Sequence, residues 1–354
     1  MNIIKTTLAT GLVAFSLTCN ARPYAYEDFS NRFVSDEGCV VTNSRVSALN
    51  QAHLMFLSLI LHDENTFERA YGCVKGKLTS GGTDLLPSAL YGPDPKDNNK
   101  ERILNSSKPA EASILMAWDL LQGGRIYSRD DLTKEGKAFL EAIKKTLVRD
   151  EPLLGRIISS SEDQDDGAIE LSPASLAPFT LSKLCLLDHD FCKIRDDSSR
   201  ALARGLIQGF IPDRIILTKE GALVTRENSE QSDAGLRFLH YLGLTNDGCP
   251  QKDLLLSKLK PLTDHINSRL RPPEKVNLYT IAPSEGKSGV ANASGALVSK
   301  GKASWFSGGA IVSDLKSADD PLALMTELEA LLKADLYFEI DANGDIRESL
   351  RDEM

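Results

Sequence analysis

The stretch NSRVSALNQAHLMFLSLIL, from Asn43 to Leu61, places Leu49, Ala52, His53, Phe56, Leu59 and Ile60 on overlapping faces of one helix. A helix that is apolar nearly all round leaves no face for water, so it must be buried inside a shell of other elements. Ala110 to Leu121 reads the same way and is ended by Gly123-Gly124. Working outward, further helices are expected over Tyr26 to Phe33, Asp63 to Leu78, Thr133 to Val148, Pro173 to Leu187, Ser198 to Phe210, Asp253 to Leu270 and Pro321 to Lys333. Leu85 to Lys108 reads as loop, Ile215 to Thr225 as a hairpin, and Leu336 to Ile346 as two short strands around Ala342-Asn343-Gly344.

The chain is therefore all-α dominated, with a few short β-hairpins. Buried helices that alternate with half-exposed ones across short loops point to a toroid of helical hairpins, an (α/α) barrel. A helical solenoid ranks second, because it needs a repeated sequence period and none is found. No Gly/Ser-rich or Pro-rich linker divides the chain, so residues 22–354 read as one domain.

The N-terminus points to export. Lys5 gives a positive start, Leu8 to Leu17 a short apolar run, and Cys19-Asn20-Ala21 ends on the small residue that signal peptidase prefers. Residues 1–21 read as a cleaved signal peptide, which makes the mature protein periplasmic or secreted, with no membrane span. Lipidation of Cys19 is the second reading, set back by the poor match of Ser16-Leu17-Thr18 to a lipoprotein signal. The formal net charge of -9 and the lack of a basic patch with interleaved aromatics argue against nucleic acid as a partner.

Cys39, Cys73, Cys185, Cys192 and Cys249 remain after cleavage, an odd number that leaves one thiol unpaired, and their connectivity cannot be read from the sequence. Cys185, His189 and Cys192 match no standard zinc spacing, so a disulfide or buried thiols is the expectation there and no metal is assigned. Three loops have bland readings. Glu162 to Gly167 is a solvated acidic loop rather than a calcium site, Asp341 to Asp345 a hairpin turn, and Lys287-Ser288-Gly289 a loop without a phosphate-binding helix.

In QSDAGLRFLHYLGL, from Gln231 to Leu244, Leu236, Leu239, Leu242 and Gly243 recur at helical spacing. Ser232 or Asp233 is the candidate N-cap, which sets a carboxylate at the mouth of an apolar helix. The plain alternative for Asp233 is a cap and nothing more.

Several stretches together resemble glycoside hydrolase family 8, in particular the periplasmic endo-1,4-β-glucanases encoded with bacterial cellulose synthases. They are FSNRFVSDEG (Phe29 to Gly38), MAWDLLQGGR (Met116 to Arg125), Ser232-Asp233-Ala234, Pro250 to Lys252, Pro272 to Val276 and the hairpin from Tyr337 to Ile346. They lie in the right order over nearly the whole mature chain. The resemblance implies an (α/α)6 barrel with a groove across one end that holds a β-1,4-glucan. It also implies hydrolysis with inversion by two carboxyl groups, without a cofactor.

By the same resemblance Asp233 takes the place of the general base, with Gly235 an extra residue before Arg237. The acid's place falls on Leu49, which cannot donate a proton. His53, four residues on, is a weak substitute, since a histidine on an apolar helix is more often a packed, hydrogen-bonded residue. The family's pair of sugar-holding acids reads Glu111-Ala112-Ser113, so Glu111 keeps one carboxylate and Ser113 removes the other. Aromatic platforms are reduced to Tyr91, and Pro212-Asp213-Arg214 has arginine where a tryptophan is expected, which leaves Tyr91, Arg237 and Asp213 as candidate substrate-binding residues. As plain readings, Glu111 is a first-turn acid favoured by the helix dipole and Arg237 its ion-pair partner.

The expected function is an impaired or inactive relative of the periplasmic cellulases that acts in glucan binding or assembly beside an exopolysaccharide synthesis and export system. The alternative is an active inverting endo-β-1,4-glucanase with a rearranged acid/base pair. A structural helical protein unrelated to sugars ranks third.

Overall fold

In the computed structural model, the described residues are 24–80, 84–162, 168–218, 223–224, 230–231, 233–268, 275–278, 280, 282–284, 319–334 and 337–348. Helix α1 spans Tyr24–Phe33, α2 Ala48–Ile60, α3 Glu64–Cys73, α4 Ala110–Ile126, α5 Asp130–Thr146 and α6 Pro178–Leu187. They are followed by α7 His189–Gly205, α8 Asp233–Leu244, α9 Pro250–Lys258, α10 Lys260–Ser268 and α11 Pro321–Ala334.

The stretch from Asn43 to Leu61 divides in two. Its first residues form a hairpin in which Val41–Thr42 pairs antiparallel with Arg45–Val46. Asn43 and Ser44 turn it with φ of 51° and 60°, the left-handed conformation that a two-residue hairpin loop requires. Ser47 then caps α2 by accepting from the Asn50 amide, and every residue of α2 except Leu49 and Asn50 is buried. Gln51 locks this start in place: its carbonyl accepts from the Val40 amide, and its amide donates to the carbonyls of Gly38 and Ala70.

The buried helices close on themselves. Helix α2 packs on α4, α4 on α6, α6 on α8, α8 on α11, and α11 returns to α2. Outside this ring, α3 packs on α2, α5 on α4 and α7 on α6, each the second half of a helical hairpin. The sequence periods follow the layers. Only Leu132, Gly136, Phe139, Leu140 and Ile143 are buried in α5, whereas α4 is buried from Ser113 to Gly124. The ring is filled by aromatics: Phe56 meets Trp118, Phe179 and Phe338 with centroids 5.4, 6.1 and 6.0 Å apart.

Four further expectations need correcting. Gly123-Gly124 does not end α4, which runs on to Ile126. These glycines allow close packing, since a Cβ on Gly123 would come within 2.9 Å of Phe67 and one on Gly124 within 2.1 Å of Thr133. Leu85 to Lys108 contains the strands Leu90–Asp94 and Asp97–Asn105, hidden in the sequence because the second is largely exposed and carries no apolar alternation. Helix α7 begins at His189, where Asp188 caps it by accepting from the Asp190 amide; Phe191 and Ile194 are the first buried residues of an otherwise polar outer face. The run from Asp253 is two helices, α9 and α10.

The C-terminal hairpin, Phe338–Ile340 with Ile346–Glu348, is stitched onto α4. Trp118 Nε1 donates to the Gly344 carbonyl at 2.7 Å, and Arg125 to that of Ile346. Gly344, with φ of 77°, sits 2.1 Å from the Phe179 carbonyl by its missing Cβ, so no side chain fits there. Two segments that carry the family resemblance are thus in contact. Disulfides join Cys39 to Cys73 and Cys185 to Cys192, so the latter pair has no free thiolate for a metal, and Cys249 is a buried free thiol. No helix among the described residues is long and apolar enough to cross a membrane. The acidic loop at 163–167 and Lys287-Ser288-Gly289 lie outside the described residues.

Candidate active site

Glu111 stands in the first turn of α4 with its carboxylate turned toward α8. Arg237 grips it with two parallel hydrogen bonds, Nε to Oε1 at 2.7 Å and Nη2 to Oε2 at 2.9 Å. Both side chains are about nine-tenths buried. This planar fork is the strongest geometry available to a carboxylate and an arginine. Burial opposes ionisation of Glu111, but the Arg237 guanidinium outweighs it and holds the carboxyl below its ordinary range.

The Tyr241 hydroxyl donates to Glu111 Oε1 at 2.9 Å and lies 3.0 Å from His53 Nε2. His53 Nδ1 is 2.7 Å from Glu329 Oε1 on α11, and Glu329 Oε2 is 2.8 Å from His240 Nε2. A file of polar groups therefore crosses the ring from Arg237 to His240 through α8, α4, α2 and α11. Both ring nitrogens of His53 are engaged and the residue is fully buried. This is the packed, hydrogen-bonded histidine of the plain reading.

Leu49, in the first turn of α2, is half-buried and packs against the core. Ser113 turns its hydroxyl back to the Pro109 carbonyl at 2.8 Å, the usual habit of a serine within a helix. Asp213 caps α8 from the preceding loop, its Oδ1 accepting from the Gly235 amide at 2.9 Å. Asp233 is the first residue of α8, and its side chain and Ser232 lie outside the described residues. Asp213 thus lies at the mouth of the helix that begins at Asp233, and Arg237, one turn on, joins that helix to Glu111.

The space beside Glu111 and Tyr241 is closed in by Leu115, Ala174, Ala177 and Thr180 and admits no water-sized sphere. Tyr91 is elsewhere. It lines a cleft of about 460 Å³ with Lys77, Glu37 and Glu101, donates to Glu101 Oε2 at 3.1 Å, and has Lys77 Nζ 5.4 Å from its ring centre. The residues lining that cleft include none of Glu111, Arg237 and His53.

Sequence reading missed Tyr241, His240, Glu329 and Asp119. Asp119 is fully buried in α4, and neither of its carboxyl oxygens has a hydrogen-bond partner among the described residues. Burial and then the charge of Glu329 push its carboxyl well above the ordinary range. The available signal was an ionisable side chain inside a run that is otherwise apolar all round, as with Asp119 in α4 and Glu329 in α11. Among the described residues, no cluster of three His, Cys, Asp or Glu has the geometry to hold a metal ion.

This arrangement has relatives. The endoglucanase of Escherichia coli O157:H7 is 27% identical over 291 residues, 79% of this chain and 78% of that protein, and the one from Xanthomonas axonopodis pv. citri is 25% identical over 285 residues, 77% and 73% of the two. The solved structure of an endo-1,4-D-glucanase from Vibrio fischeri ES114 superposes with a TM-score of 0.83 at 22% identity, covering 92% of this chain and 98% of its own. That of the endo-β-1,4-glucanase CMCax from Acetobacter xylinum gives 0.71 at 16% identity, covering 88% and 98%. The two-layered ring is accordingly the (α/α)6 barrel expected from the sequence. The sequence profile of glycosyl hydrolases family 8 matches residues 1–318, and the chain belongs to that family.

Proposed function

We propose that this protein is an exported family-8 barrel, residues 22–354 after loss of a signal peptide at 1–21, that binds β-1,4-glucan and hydrolyses it poorly or not at all. It would act in the periplasm or outside the cell, beside the machinery that makes and exports cellulose or a related exopolysaccharide. One observation supports the reading: Leu49, on which the family resemblance puts the proton donor's place, is a core-packed leucine that cannot donate, and the nearby groups are already committed. Glu111 is neutralised by Arg237, and both nitrogens of His53 are bonded. An acid whose carboxyl is held below its ordinary range keeps no proton to give to a leaving oxygen near neutral pH.

In this reading Asp233 keeps the position of the base, Glu111 accepts a sugar hydroxyl, and Arg237 and Asp213 hold the α8 mouth. Tyr91 in its separate cleft offers one ring face to a glucose unit. The relatives named endoglucanases support a second reading, an active inverting endo-β-1,4-glucanase in which Asp233 and Glu111 form the pair.

Calorimetric titration of the mature protein with cellohexaose tests the binding part. Saturable binding that weakens about tenfold in Tyr91→Ala and in Glu111→Ala supports it, a loss matched to one stacking or charged contact. Absence of binding by the parent at millimolar sugar would remove glucan as the ligand.

A further inference from the structure

Asn343-Gly344 is the single Asn-Gly pair of the chain. A glycine has no Cβ to obstruct the approach of its nitrogen to the asparagine side chain before it, so this pair is the one most open to cyclisation. It forms the tip of the C-terminal hairpin, in a three-residue loop closed by a left-handed glycine. The Gly344 amide donates to the Asp341 carbonyl at 3.0 Å, the Asp341 amide to that of Asp345 at 2.9 Å, and Gly344 has φ of 77°. Asn343 is exposed, whereas Gly344 is buried. The Gly344 carbonyl accepts from Trp118 Nε1 at 2.7 Å and Gln122 Nε2 at 3.3 Å, and Asp345 Oδ1 from Gln122 Nε2 at 2.8 Å and Lys183 Nζ at 2.7 Å. A reactive side chain in water is thus joined to a backbone nitrogen that the barrel holds still.

We propose that Asn343 is a modification site: it deamidates through a cyclic imide, the docked hairpin holds the reaction back, and the isoaspartate that results releases the hairpin from α4. Hydroxide takes the Gly344 amide proton, and the nitrogen attacks Cγ of Asn343. A new C–N bond closes the imide, the bond from Cγ to the side-chain amide nitrogen breaks, and ammonia leaves. Water then opens the ring, at one carbonyl to give aspartate and at the other to give isoaspartate, whose backbone runs through Cβ and Cγ. The first step takes the proton that Gly344 donates to Asp341, and moves a nitrogen whose residue is pinned by Trp118, Gln122 and the Phe179 carbonyl. A hairpin that has opened locally meets those demands and a docked one does not. Isoaspartate cannot resume the parent turn, because its backbone is one carbon longer at a point where the Gly344 Cα has no free space. Trp118 and Gln122 then lose the Gly344 carbonyl, Arg125 that of Ile346, and Phe338 its seat against Phe56. Aspartate keeps the backbone length and docks like the parent. The anchors stand in the second half of α4 and Glu111 in its first turn, so this site is separate from the candidate active site.

Peptide mass spectrometry of the protein held at mildly alkaline pH, with isoaspartate read by its enzymatic methylation, tests the site. In urea-unfolded protein Asn343 is expected to convert before the other asparagines, and in native protein at least about tenfold more slowly, since the anchoring hydrogen bonds limit opening. Trp118→Phe, which removes the Nε1 donor and keeps a ring, is expected to speed the native reaction about fivefold. No conversion at Asn343 in unfolded protein overturns the site, and equal rates in native and unfolded parent overturn the protection; neither reading needs a variant. The negative charge gained on deamidation lets the isoaspartate form be separated by anion exchange and compared with Asn343→Asp, which has the same charge on the parent's backbone. The isoaspartate form is expected to exchange its Phe338–Ile340 amides at least about tenfold faster. Equal exchange in the two overturns the release of the hairpin.

Discussion

Arg237 and Glu111 neutralise each other where neither is well solvated, which makes the pair a sensitive point. Arg237→Met is expected to destabilise the protein by about 3–5 kcal/mol, because it leaves a buried carboxylate without its counter-charge. Urea denaturation checks this, and combining Arg237→Met with Glu111→Leu should recover most of the loss. The acids also set the pH response. Glu111 and Glu329 have folded pKa values below their unfolded ones, so their contribution is complete above the unfolded value of about 4.3 and is lost as pH falls through the lower folded values. Stability should therefore decline from about pH 5 downward, with a shallower slope in the double variant.

Asp119 has the opposite sign. Its folded pKa lies above the unfolded value, so the folded state keeps a proton that the unfolded chain releases above about pH 3.9, and the penalty grows as pH rises through that window. Asp119→Asn should be more stable than the parent at neutral pH and equal to it in strong acid. A loss of stability at neutral pH would show that the carboxyl is ionised and partnered.

At the scale of elements, apolar pattern and burial agreed wherever a helix belongs to the inner ring. The stretches read as apolar all round became α2 and α4, since no other element can hide such surfaces. Turn signals were harder to weigh. Asn43-Ser44 makes a hairpin turn inside a stretch that reads as helix, while Gly123-Gly124 reads as a stop and is a packing surface. Gly124→Ala tests the second point. Alanine is intrinsically the better helix former by about 1 kcal/mol, yet the new Cβ would strike Thr133 and the backbone at Arg129. A net loss of about 1–3 kcal/mol is expected in thermal or urea unfolding, as for other overpacked sites; a gain would mean that α5 moves aside freely.

For the whole molecule, the collinear motifs made the barrel legible, because the residues that carry them hold the fold together: Gln51 ties α2 to the Gly38 turn, and Trp118 and Arg125 tie α4 to the C-terminal hairpin. The site was only half legible. Sequence reading singled out Leu49, Glu111 and Arg237; His240 and Tyr241 lie within a turn of Arg237 in α8 but read there only as part of an apolar helix, and Glu329 is far along the chain and meets them only when the ring closes. The Cys39–Cys73 bridge spans 34 residues and fastens the turn after α1 to α3. By the loop-entropy relation, the Cys39→Ala/Cys73→Ala variant should lose about 3–4 kcal/mol, measured by urea denaturation.

The central claim is a kept barrel with its proton donor removed. Release of reducing ends from soluble β-1,4-glucan tests it most directly, comparing the mature parent with Leu49→Glu and with Leu49→Glu/Asp233→Asn. The account predicts a parent near background, a gain on the order of a hundred- to ten-thousand-fold when glutamate restores the acid, and loss of that gain when the base is also removed. Turnover in the parent that Asp233→Asn abolishes would contradict it, and would mean that another group already supplies the proton.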